Sequence, residues 1–264
     1  MHRYPTASIA QLSLLRKLTK RRERAEQALF IAEGHRTIQQ LLMTKRVQVQ
    51  ALFATATYLD HNSLDAEAAK IYLISERQLL EVSQTDTPPG ILALASMVPA
   101  VEPSFWFDQQ GCLLAFDEVQ DPGNLGTMIR SAAWFGVQGL LMGKGTTDLW
   151  SAKVVRSTAG ATGSLPYASG ELGTMLDQLQ AHGWRPVLLD ADEPSTPLPE
   201  WKPDKATILV LGNEARGLDE ALLRRYPSVS IDGHPGLDAA ESLNVSVAAS
   251  IAMYHWFTID KPSL

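Results

Sequence analysis

Apolar and polar residues alternate in short blocks along this chain, and the blocks predict alternating strands and helices. Short continuous apolar runs, typical of buried strands, cover residues 112–116 and 208–211, and a further strand is predicted at 49–54. The stretches between them place apolar residues three and four positions apart, as amphipathic helices do. Such alternation predicts an α/β fold with a doubly wound, mainly parallel sheet that binds ligands at the carboxyl ends of its strands.

The alternation is interrupted between Pro99 and Pro103, and this interruption divides the chain. Residues 1–98 contain enough strands and helices for a smaller α/β sandwich domain of their own. We assign residues 99–108 to a linker and residues 109–264 to the domain with the parallel sheet. In the first domain, Ser75-x-x-Gln78 predicts a helix start, and another helix is expected from Leu64.

The composition is that of an ordinary globular protein, since 45% of its 264 residues are hydrophobic and 20% are charged. No apolar run is long enough for a membrane span and no secretory signal pattern is visible, so we expect a cytoplasmic protein without a membrane partner. The single cysteine, Cys112, excludes an internal disulfide framework. It lies in an apolar run, which predicts burial rather than a redox role.

Positive charge is concentrated near the N-terminus. The net charge of −6 argues against a nucleic-acid partner, but residues 1–100 carry 12 Lys and Arg against 9 Asp and Glu. Six of those cations fall within residues 13–24, where leucines at helical spacing would leave them on the opposite face of one basic helix. An ordinary solvated face is the alternative to RNA binding. The candidate RNA contacts are Lys20, Arg21, Arg22 and Arg24.

Three short motifs lie at the ends of predicted strands or the start of a helix in the larger domain. The first, Asp121-Pro-Gly-Asn-Leu-Gly126, comes after a strand and is followed by Arg130. The second, Leu211-Gly-Asn-Glu-Ala-Arg-Gly217, ends a strand in a glycine, which permits close approach of the backbone to a ligand. The third, Ser242-Leu-Asn-Val-Ser246, opens an apolar helix with residues that cap free N–H groups well.

In this order, the three motifs resemble those of the SpoU (TrmH-like) branch of the SPOUT RNA methyltransferases. The turn Phe30-x-x-Glu-Gly34 is similar, more loosely, to the N-terminal substrate-binding domain found ahead of many SpoU catalytic domains. The resemblance implies a trefoil knot formed by the chain from about Leu209 onward, and S-adenosylmethionine as the cofactor. It also implies methyl transfer to a ribose 2′-hydroxyl of structured RNA, with rRNA favoured over tRNA.

The resemblance further implies roles for single residues. The cofactor contacts of the family fall on Leu211, Gly212, Ile231 and Leu243. Its functional set falls on Asn124, Arg130, Glu214, Ser242 and Asn244. Asn124 and Glu214 would orient the reacting groups, while Ser242 and Asn244 would shape the pocket. Arg130 would engage the target nucleotide rather than act as a base, since a guanidinium is effectively always protonated.

Residues 231–241 depart from the family pattern, because this segment is longer than usual and Asp232 stands where the family has proline. The conformation of this loop is therefore not predicted. His234 within it is interpreted as a solvent-exposed residue rather than an acid–base group.

Two other function classes stay open on the sequence alone. Gly123-x-x-Gly126 opens a helix after a strand, as in dinucleotide-binding oxidoreductases, but the full Gly-x-Gly-x-x-Gly pattern is missing. An RNA-binding protein that kept the fold and lost catalysis is the other class, and the intact motif residues argue against it.

The last helix also predicts a partner. Its apolar residues exceed what one buried helix face requires, which indicates a homodimer built by the C-terminal domain. The alternative is that the helix only closes its own core. The residues concerned are Ile251, Tyr254, Trp256 and Phe257.

Overall fold

The computed structural model describes residues 4–63, 69–191, 194–234 and 242–259, and the chain forms two compact units. The first unit comprises Met1–Pro99 together with Asp148–Ser164. The second comprises Ala100–Thr147 together with Leu165–Leu264. The first boundary between the units therefore lies where the linker is expected from the sequence to begin.

The helices and strands alternate over most of the chain, as predicted. Up to the first boundary they are α1 (Ile9–Leu18), α2 (Arg21–Gln27), β1 (Leu29–Glu33), α3 (His35–Thr44), β2 (Val49–Ala54), α4 (Ala56–His61), β3 (Lys70–Leu73), α5 (Glu76–Val82) and β4 (Ile91–Ser96). After a 3-10 turn at Pro103–Trp106 come β5 (Gly111–Phe116), α6 (Pro122–Phe135), β6 (Gly139–Gly143), α7 (Ala152–Ser157), β7 (Tyr167–Gly170), α8 (Leu172–Ala181), β8 (Arg185–Leu189), β9 (Thr196–Pro197), β10 (Ala206–Leu211), α9 (Glu220–Leu223), β11 (Ser228–Ser230) and α10 (Val245–Ile259).

The first unit is built on a four-stranded sheet with the strand order β1-β4-β2-β3. β4 pairs antiparallel with β1 and β2, whereas β2 and β3 are parallel. One face of α1 closes the core of this unit, because its leucines at helical spacing, Leu12, Leu15 and Leu18, are all buried.

Local capping fixes two further helices of the first unit. The predicted start at Ser75 is confirmed, because Gln78 N–H donates to Ser75 Oγ at 3.2 Å and Gln78 Oε1 accepts Ser75 N–H at 2.8 Å. Helix α4 is not predicted from the sequence, and it begins where Thr55 Oγ1 accepts the N–H of Tyr58 at 3.2 Å. The helix start expected at Leu64 lies outside the described residues.

Residues 13–24 form parts of two helices, so the prediction of one continuous basic helix is wrong. α1 ends at Leu18 and α2 begins at Arg21, with Lys20 extended between them. The physical reason is Arg24, whose guanidinium donates to the carbonyls of Leu18 and Thr19 at 2.8 and 2.9 Å. Carbonyls at a helix end lack intrahelical donors, and a positive charge there is favourable.

The segment Asp148–Ser164, assigned above to the larger domain, instead packs into the first unit. Arg24 forms an ion pair with Asp148, and both side chains are largely buried. The rings of Phe30 and Trp150 also meet, with centroids 5.0 Å apart. These contacts explain why the predicted domain 109–264 is interrupted. They join residues that are far apart in the sequence, so local sequence patterns do not reveal them.

The second unit is built on a seven-stranded sheet with the order β7-β6-β5-β10-β8-β11-β9. Every pair in it is parallel, which confirms the predicted parallel sheet. β6 and β7 extend the sheet from β5, and the other strands extend it from β10. The carboxyl ends of β5 and β10 lie side by side, where Asp117 N–H donates to Leu211 O at 2.8 Å. Open α/β sheets bind ligands at such a switch point.

The core of the second unit contains two fully buried tryptophans, and Trp184 Nε1 donates to Trp106 O at 2.9 Å. Cys112 is buried as predicted, and burial raises the pKa of its thiol. α10 packs along α6, where the hydroxyl oxygens of Ser131 and Ser250 are 2.9 Å apart. Residues 235–241, and with them most of the long 231–241 loop, lie outside the described residues.

Candidate functional site

The loop after β10 is a tight turn that requires glycine at position 212. Asn213 and Gly217 exchange two backbone hydrogen bonds of 2.9 Å, which close the loop. A Cβ atom on Gly212 would lie 2.6 Å from the Gly217 carbonyl carbon and 2.7 Å from the Leu218 nitrogen. The loop itself therefore excludes a side chain at Gly212, which is a different reason from the ligand approach inferred from the sequence.

Glu214 in this loop is fixed by three N–H donors. Its carboxylate accepts from the backbone N–H groups of Gln120 and Asp121 and from Asn124 Nδ2, each at 3.1 Å. Burial alone would raise the pKa of Glu214, but these hydrogen bonds, led by that from Asn124, hold the pKa below its ordinary value. The ionised carboxylate therefore ties the loop after β10 to the loop after β5.

Asn124 and Asn244 extend this connection to the start of α10. Asn124 Oδ1 accepts from Asn244 Nδ2 at 3.0 Å. Asn244 Oδ1 in turn accepts from the N–H and the hydroxyl of Ser246 at 2.9 and 2.6 Å, so Asn244 caps α10. Three residues from three separate motifs thus form one hydrogen-bonded chain, Glu214–Asn124–Asn244.

Arg130 and Ser242, the other two candidate catalytic residues, have no hydrogen bond or ion pair to any residue that the structure describes. Arg130 is exposed on α6, six residues after Asn124 and off the buried apolar stripe of that helix, as predicted. Ser242 is exposed two residues before the α10 cap. Both side chains are therefore available to a ligand.

The residues expected to hold the cofactor lie at element ends of the second unit. Leu211 is the last residue of β10 and is fully buried, so only its backbone can reach a ligand. Ile231 follows β11 and is half-buried, and Leu243 is 47% exposed just before α10. Accessible apolar side chains with a few polar groups nearby are typical of ligand sites, and Ile231 and Leu243 offer such side chains. The residues present therefore fit S-adenosylmethionine.

Carboxylates dominate the surroundings of the two loops. Asp117 is half-buried, and burial, together with repulsion from Asp219 and Glu118, raises its pKa even though Asp219 N–H donates to it at 2.8 Å. The cation in these loops is Arg216, and it forms an ion pair with Glu118. A polyanionic substrate would therefore depend on a cation from another element, and Arg130 on α6 is available for that role.

Of the four residues predicted to contact RNA, Arg24 is buried and is not placed to do so. Its side chain is only 6% exposed and donates to Asp148, at 2.9 Å from Nε, and to two backbone carbonyls. Arg24 therefore holds the unit together. Lys20 and Arg21 are exposed and have no ion pair with a described residue, whereas Arg22 pairs at 2.7 Å with a glutamate one turn later.

Neither a metal centre nor a membrane span is found in the described ranges. No cluster of three or more His, Cys, Asp and Glu side chains there could hold a metal ion. Over the same ranges, every helix is too short or too polar to span a membrane.

Two family models match the chain. The SpoU rRNA Methylase family matches residues 111–254, more than half of the chain, and the MRM3-like substrate binding domain matches residues 10–93. The chain belongs to the SpoU rRNA methylase family. This confirms the resemblance drawn from the three motifs and makes the oxidoreductase alternative wrong.

Individual relatives agree with this assignment to the SpoU family. The 23S rRNA (guanosine(2553)-2′-O)-methyltransferase RlmP of Bacillus subtilis (strain 168) is 33% identical over 242 residues, covering 91% of this chain and 93% of the relative. The SpoU methyltransferase AviRb from Streptomyces viridochromogenes, solved with the cofactor AdoMet, has a TM-score of 0.78 at 25% identity, covering 95% of this chain and 98% of that chain. An AdoMet-bound rRNA methyltransferase from Sinorhizobium meliloti has a TM-score of 0.76 at 25% identity, covering 95% and 96%. The predicted SPOUT fold, the methyltransferase class and the cofactor S-adenosylmethionine are confirmed.

Proposed function

We propose that this SpoU family member transfers the methyl group of S-adenosylmethionine to a ribose 2′-hydroxyl of ribosomal RNA. The observation that carries the proposal is the chain Glu214–Asn124–Asn244, which joins the three motif loops at the switch point of the sheet. The similarity to RlmP, a 23S rRNA 2′-O-methyltransferase, supports the choice of substrate.

The residues of the second unit would divide the work of methyl transfer between them. When bound, the cofactor supplies an activated methyl group on a positively charged sulfur. Its contacts would be Leu211, Gly212, Ile231 and Leu243. The hydroxyl must be held in line for transfer, and the loops fixed by Glu214 and Asn124 would provide that geometry. Because the Glu214 carboxylate already accepts three N–H groups and has a lowered pKa, its role is orientation rather than proton removal.

Arg130 and Ser242 would act directly on the substrate side. The guanidinium of Arg130 is exposed and permanently charged, so it suits a phosphate of the target nucleotide. The Ser242 hydroxyl and the Asn244 amide would shape the pocket beside it. Because the loops after β5 and β10 are rich in carboxylates, a substrate phosphate would depend on the charge of Arg130 more than it would on a neutral surface.

Residues 1–98 would bind the RNA substrate. The match of residues 10–93 to a substrate binding domain supports this role. The exposed cations Lys20 and Arg21 lie between or on α1 and α2 and have no ion pair with a described residue. They would contact RNA phosphates, with Arg22 contributing when its exposed pair opens and Arg24 contributing only to the fold.

The second unit would also form a homodimer. Val247, Ile251 and Tyr254 are all exposed and lie on one face of α10, at positions i, i+4 and i+7. Trp134 on α6, which packs against α10, is 84% exposed. Trp256, which the sequence places among the apolar residues of the interface, is buried and is therefore removed from that set.

Methylation of ribosomal RNA from cells that lack this protein tests the proposed function. Purified protein and labelled S-adenosylmethionine are expected to place label in the RNA as a 2′-O-methyl nucleoside at a defined position. Glu214→Gln is expected to lose most of this transfer, and tRNA serves as the comparison substrate. Label on a base, or bound cofactor without any transfer to RNA, would overturn the proposal, the latter in favour of an RNA-binding protein without catalysis.

A further inference from the structure

Asn213 links the same two loops as Glu214, although no motif position singles it out. It is 9% exposed, and its side-chain Nδ2 donates to the carbonyl of Glu118 at 2.8 Å. Glu118 belongs to the loop after β5, two residues before the first of the N–H groups that Glu214 accepts. Asn213 therefore contacts the backbone that presents those N–H groups.

The other end of the Asn213 side chain shapes its own loop. Oδ1 accepts the N–H groups of Ala215 and Arg216 at 2.9 and 3.0 Å. These bonds, with the backbone pair to Gly217, hold the residues on either side of Glu214 in one conformation. The two ends of the amide thus do separate things, since the oxygen forms the turn and the nitrogen reaches the neighbouring loop.

The bond to the Glu118 carbonyl holds a strained backbone. Glu118 has a φ of +55°, in the left-handed region that residues other than glycine seldom adopt. Such conformations persist where surrounding contacts determine them, and they cluster at functional sites. The ion pair between the side chains of Glu118 and Arg216 is exposed to solvent, where such pairs contribute little. The buried amide is therefore the stronger constraint on this loop.

We propose that Asn213 is a positioning residue for methyl transfer, which sets the loop after β5 so that the N–H groups of Gln120 and Asp121 reach Glu214. This inference rests on the proposed function for its effect on rate. Its structural part, the link between the two loops, stands independently of the substrate.

Two substitutions separate the two ends of the amide. Asn213→Asp keeps an acceptor for the turn but replaces the donor to Glu118 with a carboxylate oxygen that repels that carbonyl. We expect kcat to fall by roughly 10- to 100-fold, as for other misplaced catalytic loops. The cofactor affinity is expected to stay within about threefold, because the turn that carries Gly212 remains. Asn213→Ala removes both ends, so both kcat and cofactor affinity are expected to fall.

Arg216→Ala is the matched control. It removes the exposed ion pair to Glu118 and leaves every hydrogen bond of Asn213 in place, so kcat is expected to stay within about twofold of wild type. A loss with Arg216→Ala equal to that with Asn213→Asp would overturn the proposal, since the surface pair and not the amide would then hold the loop.

A double substitution tests whether Asn213 acts through Glu214. In a Glu214→Gln background, Asn213→Asp is expected to cause little further loss of single-turnover rate, because the acceptor of the N–H groups that Asn213 positions is already altered. Losses that multiply, or an Asn213→Asp enzyme with wild-type kcat, would overturn the positioning role.

Hydrogen exchange gives a reading that does not depend on activity. The amides of Gln120 and Asp121 donate to Glu214, so they are expected to exchange faster in Asn213→Asp than in wild type or Arg216→Ala. Unchanged exchange would overturn the link between the loops. Faster exchange in a protein that methylates no RNA would instead retain the link and defeat the proposed function.

Discussion

At Gly212 the structure gives a physical reason for glycine that differs from the ligand approach inferred from the sequence. A Cβ atom at this position would meet backbone atoms of Gly217 and Leu218, which cannot move aside as a flexible side chain can. We therefore expect Gly212→Ala to open the turn, to lower the free energy of unfolding by about 1–3 kcal/mol and to abolish S-adenosylmethionine binding. Thermal unfolding and calorimetric titration measure the two effects.

Gly173 on α8 is the control for this glycine. A Cβ atom there would meet nothing within 4 Å, so Gly173→Ala is expected to raise the free energy of unfolding by about 0.5–1 kcal/mol without changing cofactor affinity. If Gly212→Ala behaved like Gly173→Ala, the account of the loop after β10 would be wrong.

Arg130 presents a different residue-scale question, because its side chain is fixed by no described neighbour. If it grips a phosphate and positions the ribose oxygen, charge and reach matter more than proton affinity. Arg130→Lys is then expected to retain a measurable fraction of 2′-O-methyl transfer, and Arg130→Ala to lose nearly all of it. Cofactor affinity is expected to be unchanged in both.

Single-turnover methylation against pH, on saturating RNA, decides the role of Arg130. A lysine loses its proton more readily than an arginine, so a base at this position would show a shifted pH–rate profile in Arg130→Lys. A lysine enzyme as inactive as the alanine enzyme would contradict simple positioning by charge, and would make the planar guanidinium itself indispensable.

The sequence identifies functional residues that a family motif marks. It does not identify residues that no motif marks and whose role depends on a distant partner. Asn124, Glu214 and Asn244 were expected from three motifs, and they meet in one hydrogen-bonded chain. Arg24 was misassigned because a run of cations does not reveal that one member pairs with Asp148, 124 positions away. Asn213 was missed for the same reason, since an asparagine in a turn gives no sign of the carbonyl it reaches.

At the scale of helices and strands, continuous apolar runs were the reliable signal. β5 and β10 are predicted because nearly all of their residues are buried and apolar, and β2 because its residues from Ala51 onward are. β9 and β11, only two and three residues long, were missed, because pairing within the sheet rather than local composition defines them. The same limit explains the break between α1 and α2, which depends on Arg24 of α2 and on its distant partner Asp148.

The revised α1–α2 region leads to a prediction about RNA binding. Lys20→Gln with Arg21→Gln is expected to weaken RNA affinity and to reduce the slope of log affinity against log salt by about 1–2, as two phosphate contacts would. Binding titrations over a range of salt concentrations measure this, and cofactor affinity is expected to stay normal.

The control removes the same charge elsewhere. Lys202→Gln with Lys205→Gln takes two cations from the second unit, and it is expected to leave the salt slope close to that of wild type. If both pairs of substitutions changed the salt slope equally, Lys20 and Arg21 would contribute only through the net charge of the protein and not through specific phosphate contacts. Arg24→Gln is unsuitable for this test, because breaking a buried ion pair costs about 3–5 kcal/mol.

At the scale of the whole molecule, sequence order and compact units do not coincide. The chain leaves the second unit after Thr147 and returns at Leu165, and the segment between them completes the first unit. The break in periodicity marks the place after Pro99 where the chain passes from the first unit to the second. It does not mark the later changes of unit after Thr147 and before Leu165. Long-range contacts such as those of Asp148 and Trp150 are invisible to local pattern, so a fragment cut at residue 99 would separate the first unit from part of its own core.

The exposed apolar residues on one face of α10 lead to the prediction of a homodimer. Ile251 and Tyr254 share this face, and single exposed apolar residues are common on monomers, whereas a contiguous set is not. Light scattering at micromolar concentration is expected to give twice the chain mass of 28.9 kDa. Ile251→Glu with Tyr254→Glu is expected to give the monomer, because two like charges would face their copies across a two-fold axis.

Ile9→Glu, at an 87% exposed apolar position of the first unit, is the control and is expected to remain dimeric. A wild-type mass equal to one chain would assign this face to another partner, whereas a monomer produced equally by Ile9→Glu would show that the charge, not its place on α10, separates the copies.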